Sequence, residues 1–120
     1  MNERTQLLLD RTFMFGVNTL KFLKQLPEES IYKIPKMQLA RSATSIGANY
    51  EEAQGASSKR DFNNRINISY REARESIYWL RVLKELYEQD TFKANFESHI
   101  QEADEFKKIF ASIKLSSKKD

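Results

Sequence analysis

Hydrophobic residues recur along the chain at steps of three and four, the spacing that places them on one side of an α-helix. The pattern is clearest near the end of the sequence, where it comprises Phe92, Phe96, Ile100, Ala103, Phe106, Phe110 and Ile113. The chain has only three glycines and two prolines to interrupt a helix. The pattern therefore predicts an all-α fold built from long helices.

Four such stretches are separated by short links that hold the breaking and capping residues. Helices are predicted from about Thr5 to Leu26, from Pro35 to about Gln54, from a cap at Ser57 or Ser58 to about Gln89, and from about Phe92 to Leu115. Pro27 stops the first helix, Pro35 suits a first turn, and Gly55 closes the second helix. The short links predict an antiparallel up-down-up-down four-helix bundle over residues 1–115, with a flexible tail at 116–120.

Each predicted helix has an apolar stripe that is expected to face the core. On the first helix the apolar residues cover two adjoining faces, namely Leu9, Phe13, Gly16, Leu20 and Leu23 on one, and Leu8, Phe15 and Phe22 on the other. The stripes of the second and third helices are Leu39, Ala43, Ile46, Tyr50 and Ala53, and Phe62, Ile66, Ala73, Ile77 and Leu80.

Composition narrows the class of protein. The chain has no cysteine, which excludes disulfides and thiolate metal sites and suits a reducing cytoplasm. Its apolar runs, such as Leu7 to Leu9, are far below the roughly 20 residues of a membrane span, so no membrane association is expected. The net charge of +3 is too small to indicate nucleic-acid binding by itself.

Catalytic and metal-binding patterns are missing from the sequence. His99 is the only histidine, so it is expected at the surface or the edge of the core and not as a metal ligand. Glu72 and Glu75 form half of a di-iron motif, and no Glu-x-x-His accompanies them. We therefore expect no enzyme activity, no cofactor, no metal and no small-molecule substrate.

Polar and basic residues form two lines that could bind a partner. Arg60, Arg71, Arg74, Tyr78 and Arg81 fall on the side of the third helix opposite its core stripe. This side could bind phosphates and stack on a base, or it could be an ordinary solvated face neutralised by Arg71–Glu75 and Arg81–Glu85 pairs. On the second helix, Ser42, Ser45, Asn49 and Glu52 form a polar line that either binds a partner or hydrogen-bonds a neighbouring helix and fixes its register.

A second apolar stripe on the third helix consists of Ile68, Trp79, Val82 and Leu86. It lies beside the core stripe, and it predicts an interface between copies of the chain; the alternative is a wide core stripe covered by the fourth helix.

Several segments resemble a known family. These are Ser45 to Ala53 (SIGANYEEA), Ser58 to Phe62 (SKRDF), Arg71 to Glu75 (REARE) and Tyr78-Trp79-Leu80. They resemble the four-helix bundle proteins encoded in 23S ribosomal RNA intervening sequences, a family also labelled S23 ribosomal protein. The family pattern places Ser45, Asn49, Glu52, Asp61, Phe62, Glu72, Glu75 and Trp79 at its signature positions.

The resemblance implies a four-helix bundle, and a more distant relative implies an assembly and binding partners. That relative, the accessory variability protein of diversity-generating retroelements, forms a pentameric ring and binds nucleic acid and a reverse transcriptase. By this resemblance the chain is expected to be a homo-oligomer, as a pentamer, and a partner of RNA or DNA, although its positive charge is milder. Two functions stay open: a non-enzymatic nucleic-acid-binding accessory protein, and a protein–protein interaction adaptor that binds no nucleic acid.

Overall fold

Four long helices make up the fold, as the periodicity predicts. The structure is a computed structural model that describes residues 2–118, apart from the side chain of Lys118. The helices are α1 (Glu3–Leu23), α2 (Ser30–Gln54), α3 (Lys59–Leu86) and α4 (Lys93–Lys118). Residues 2–118 contain no strand. The prediction of an all-α antiparallel four-helix bundle is confirmed.

Side-chain caps fix where α1 and α3 begin. The side chain of Asn2 accepts a hydrogen bond from the Thr5 N–H at 2.8 Å and caps α1. Ser58 caps α3 by accepting from the Asp61 N–H at 3.0 Å, while the Asp61 carboxylate accepts from the Ser57 N–H at 3.2 Å. These bonds satisfy N–H groups that the first turn of a helix leaves without a partner.

Four helix ends differ from the predicted positions by three residues or more, and one of them is the end of α3, which lies at Leu86 and not at about Gln89. The regular part of α1 ends at Leu23, because Gln25 and Leu26 hydrogen-bond back in tighter turns to Phe22 and Leu23. α2 begins at Ser30, so Pro35 lies inside the helix and not in its first turn. α4 continues past Leu115 to Lys118, and residues 119 and 120 of the predicted tail lie outside the described residues.

The helices pack in chain order around one core, and α1 and α4 complete the bundle through a more open seam. The domain measures 48 × 24 × 20 Å. The predicted stripe of α2 is buried at all five positions. Aromatic rings from α1 and α4 meet edge to face, with Phe15 and Phe106 centroids 5.4 Å apart and Phe22 and Phe96 centroids 4.9 Å apart.

Of the two apolar faces predicted on α1, one turns inward fully and the other only in part, at Gly16 and Leu23. Leu8, Phe15 and Phe22 are buried, whereas Phe13 and Leu20 are 66% and 43% exposed. The prediction that Phe13 and Leu20 belong to the core is therefore wrong. The physical reason is that small residues next to the buried face, such as Gly16, let α1 lie close to α2, and this orientation turns Phe13 away from the core.

Candidate nucleic-acid interface

The outer face of α3 carries a line of basic side chains. All five residues that the sequence assigns to this line are solvent-exposed: Arg60, Arg71, Arg74, Tyr78 and Arg81. They lie together because Ile66, Ala73 and Leu80 fix the opposite side of α3 in the core. From Arg60 to Arg81 the helix rises about 32 Å. We call this line the α3 basic face.

The acidic residues next to the α3 basic face are bound by a residue of another helix. Arg41 of α2 extends across to α3, where its guanidinium lies 2.5 Å from a Glu75 carboxylate oxygen and 3.3 Å from one of Glu72. Burial raises the pKa of the Glu72 carboxyl, and the Glu75 charge adds to the rise. The Arg41 charge and a hydrogen bond from Ser45 act in the opposite direction.

This arrangement leaves the arginines of the α3 basic face with fewer ion pairs than their spacing along the helix would permit. Of the two pairs that the solvated-face alternative assumes, Arg71–Glu75 is not formed, because Glu75 binds Arg41 instead. The other, Arg81–Glu85, is not formed either. Within residues 2–118, no ion pair joins any of the four arginines of the face to an acidic side chain.

Sequence reasoning missed a cation–π cluster around Tyr70 at the edge of this face. The Arg74 guanidinium lies 5.8 Å from the centre of the Tyr70 ring, and the Lys114 ammonium lies 5.0 Å from it. The spacing of Tyr70 and Arg74 along one helix could have indicated their contact. Lys114 belongs to α4, so only the tertiary structure brings it to this edge.

The polar line of α2 lies along the α2–α3 contact. Ser76 donates to the Ser42 hydroxyl at 3.0 Å, and Arg65 donates to the Asn49 side-chain oxygen at 3.0 Å. Ser45 hydrogen-bonds Glu72, whereas Glu52 is exposed to solvent. The structure thus brings three of the four residues against α3, and their role in fixing the register stays a prediction.

The second apolar stripe of α3 is half-buried. Ile68, Trp79, Val82 and Leu86 all have intermediate exposure, and Trp79 and Leu86 pack against the core. The indole N–H of Trp79 is buried and has no hydrogen-bond partner among the described residues. The Trp79 ring and the exposed Tyr78 ring are nearly perpendicular, with centroids 5.0 Å apart. An interface at this stripe stays a prediction.

His99 lies at the edge of the core, between α4 and α1. Its Nδ1 is 2.8 Å from the Asn95 carbonyl oxygen, and its ring stacks on Phe22 with centroids 5.1 Å apart. Residues 2–118 contain no group of three or more His, Cys, Asp or Glu side chains placed to bind a metal ion.

A match to a family model identifies the family of this chain. The family model described as 23S rRNA-intervening sequence protein matches residues 5–112, which include all but the ends of the bundle. The chain belongs to this family. The resemblance found in the α2 and α3 segments is thereby confirmed.

A solved structure is similar to this chain over nearly its whole length. It is a crystal structure at 1.70 Å of a protein with unknown function from the S23 ribosomal protein family of Bacteroides thetaiotaomicron VPI-5482. It shares 34% sequence identity, with a TM-score of 0.80, and the match covers 91% of this chain and 96% of that one. No curated protein matches the chain.

The family description refers to a ribosomal RNA insertion and names no reaction. In the part of the chain that the structure describes, none of the four helices is long and apolar enough to cross a bilayer.

Proposed function

We propose that this member of the 23S rRNA-intervening sequence protein family binds the phosphate backbone of RNA or DNA through the α3 basic face, as a non-enzymatic accessory protein. One observation carries the proposal. Arg60, Arg71, Arg74 and Arg81 are exposed in one line, while Arg41 holds the carboxylates of Glu72 and Glu75 away from them.

The chemistry of this face suits a phosphate chain. Guanidinium groups present planar pairs of N–H donors that match phosphate oxygens, and they keep their charge at every physiological pH. The exposed ring of Tyr78 offers a surface on which an unpaired base can stack. Phosphate contacts carry no sequence information by themselves, so the proposed binding is sequence-independent.

The proposal predicts a binding affinity that falls steeply as salt concentration rises, since bound arginines displace condensed counterions. We would measure fluorescence anisotropy of a labelled mixed-sequence single-stranded RNA at several salt concentrations. The variant Arg71→Ala/Arg74→Ala should bind more weakly at low salt. It should also flatten the slope of log affinity against log salt by up to about 1.4, which is two contacts at about 0.7 each for a single strand.

A matched control removes the same charge elsewhere. Lys93→Ala/Lys108→Ala takes two exposed lysines from α4 and should leave the slope unchanged. The proposal is wrong if the unmodified protein does not bind at low salt, or if the control lowers affinity as much as the arginine variant. Circular dichroism of each variant confirms that helicity is retained.

A second candidate function is an adaptor that binds protein and no nucleic acid. It is favoured by the large apolar side chains that stay exposed on α1 and α2, such as Phe13 and Met37. The adaptor proposal expects no anisotropy change with RNA or DNA at any salt concentration.

A further inference from the structure

A cavity lies beside the C-terminal part of the α3 basic face. Its volume is about 590 Å³, which is within the range of sites that bind small molecules. Its lining includes Tyr78, Arg81, Val82, Glu85 and Leu86 of α3 and Ile100 of α4. We call it the α3 cavity. Because Tyr78 and Arg81 also belong to the α3 basic face, the two surfaces are continuous.

The apolar part of the α3 cavity suits a flat ring. Val82, Leu86 and Ile100 line it, and all three are half-buried. The exposed ring of Tyr78 borders it, and the Trp79 ring contacts the Tyr78 ring nearly at a right angle. Such a contact between aromatic rings favours one orientation. Tyr78 therefore offers a flat surface on which another ring can stack.

The α3 cavity also carries one basic and one acidic side chain that are free to bind a ligand. Arg81 and Glu85 lie four residues apart, about 6 Å along the helix. Arg81 supplies N–H donors, and the Glu85 carboxylate supplies acceptors only. Within residues 2–118 neither forms an ion pair, whereas the ammonium of the neighbouring Lys84 lies 3.9 Å from a Glu97 carboxylate oxygen.

A strand that binds the α3 basic face passes this cavity. Arg74 and Arg81 lie on either side of Tyr78, about 10.5 Å apart along the helix. A strand whose phosphates contact both arginines therefore crosses Tyr78 at the border of the α3 cavity. The bases of a single strand are free to turn outward and stack on an aromatic side chain, unlike the paired bases of a duplex.

We propose that the α3 cavity binds one guanine base of a single strand held on the α3 basic face. The base stacks on Tyr78, its N1–H and 2-amino group donate to the Glu85 carboxylate, and its O6 and N7 accept from Arg81. This inference rests on the proposed phosphate binding and adds a base preference to it.

The hydrogen-bonding groups of the bases are the reason for choosing guanine. Guanine alone has two adjacent donors on one edge, and a carboxylate accepts from both with its two oxygens. Adenine and cytosine have an amino group beside a ring nitrogen that accepts, and uracil has a single N–H between two carbonyls. Arginine binds the O6 and N7 of guanine in the commonest specific contact to a base. Arg81 and Glu85 therefore favour the same base.

The first experiment compares short uridine RNA strands that differ in one central nucleoside. By fluorescence anisotropy at low salt, the strand with guanosine should bind at least about fivefold more tightly than the strand with adenosine, since one paired contact to a base is lost. Inosine lacks the 2-amino group of guanosine, so it leaves the carboxylate with a single donor. The strand with inosine should therefore bind more weakly than the strand with guanosine.

The second experiment removes the carboxylate. Glu85→Gln replaces one of its oxygens by an amide group, and it should abolish the preference for guanosine without weakening the binding of an all-uridine strand. Glu88→Gln is the matched control, because Glu88 is exposed and lies outside the α3 cavity, and it should keep the preference. Circular dichroism checks that both variants are folded.

Equal affinity for the guanosine and adenosine strands overturns the proposal, and so does a preference that persists in Glu85→Gln. In both cases the all-uridine strand, titrated with salt, still reports phosphate binding, so the proposed function is tested separately. If no strand binds at low salt, both the base preference and the phosphate binding are wrong.

Discussion

Gly47 sets how closely α1 and α2 approach each other. A Cβ atom at this position would lie 3.1 Å from the carbonyl carbon and 3.2 Å from the carbonyl oxygen of Thr12, both of which are backbone atoms. At Gly16 the nearest atom to an added Cβ is the Thr44 Cα at 3.4 Å, an ordinary van der Waals distance. Two glycines at one helix contact thus differ in whether a methyl group fits.

We predict opposite effects of alanine at these two glycines. Alanine favours a helix over glycine by about 1 kcal/mol, but overpacking a rigid backbone costs about 1–3 kcal/mol. Gly47→Ala should therefore lower the free energy of unfolding by about 1 kcal/mol, whereas Gly16→Ala should raise it by about 0.5–1 kcal/mol. Urea denaturation followed by circular dichroism measures both. Equal stability of the two variants would contradict the packing argument.

At the scale of helices, the α2–α3 contact is made of polar side chains around a buried apolar centre. Ser69 donates to the Ile46 carbonyl oxygen at 2.9 Å, and Arg41 bridges to Glu72 and Glu75 at the solvent edge. Because Arg41 reaches two carboxylates one helical turn apart, it holds α3 at one register relative to α2. The contact is sensitive to pH through Glu72, because burial raises the pKa of this carboxyl against the opposing effect of the Arg41 charge.

We predict that Glu72 contributes more stability in acid than at neutral pH. Burial, and then the Glu75 charge, raise the pKa of the folded protein above the ordinary value of 4.5 for this group. The folded state therefore binds this proton more tightly than the unfolded chain. The stabilisation is fully present below pH 4.5 and is lost as pH rises through the raised pKa.

The variant Glu72→Gln removes this titration. In urea denaturation at a series of pH values, the stability of the unmodified protein relative to Glu72→Gln should increase as pH falls through this window. Glu85→Gln, at an exposed position on the same helix, is the control and should keep the pH dependence of the unmodified protein. An unchanged pH dependence in Glu72→Gln would show that this carboxyl is not responsible.

At the scale of the whole molecule, α1 is the helix held least firmly. It packs well against α2 but meets α4 across the open seam. Arg11 spans this seam, with its guanidinium 2.6 Å from Glu102, 3.3 Å from Glu105 and 5.2 Å from the centre of the Phe106 ring. The hydrogen bond to Glu102 is the main reason that the pKa of Arg11 is raised.

We predict that Arg11→Ala loosens α1 more than the rest of the bundle. The ion pairs are partly exposed, so their loss should cost at most about 1 kcal/mol, which corresponds to amide exchange about fivefold faster. Hydrogen exchange followed by mass spectrometry should show this acceleration in α1, with little change in α3. Arg4→Ala, at an exposed position that makes no ion pair within residues 2–118, is the control. An equal increase of the amide exchange rate in all four helices would contradict the conclusion that α1 is held least firmly.

The helices, their antiparallel order, the family and the composition of the α3 basic face could all be predicted from the amino-acid sequence. This was possible because helical periodicity, caps such as Ser58 and short links are local properties of the chain. A stripe whose neighbours are polar, as on α2, also identifies its buried side without further information.

Questions that depend on a second helix are answered by the folded protein and not by the sequence pattern. Apolar residues cover more than one face of α1, so periodicity could not tell that Phe15 is buried and Phe13 exposed; the close approach to α2 at Gly47 determined it. In the same way, Glu75 could pair with Arg71 on its own helix, but the folded protein places Arg41 nearer. Contacts between residues that are far apart in sequence leave no periodic trace, and the charge of the candidate site depends on such contacts.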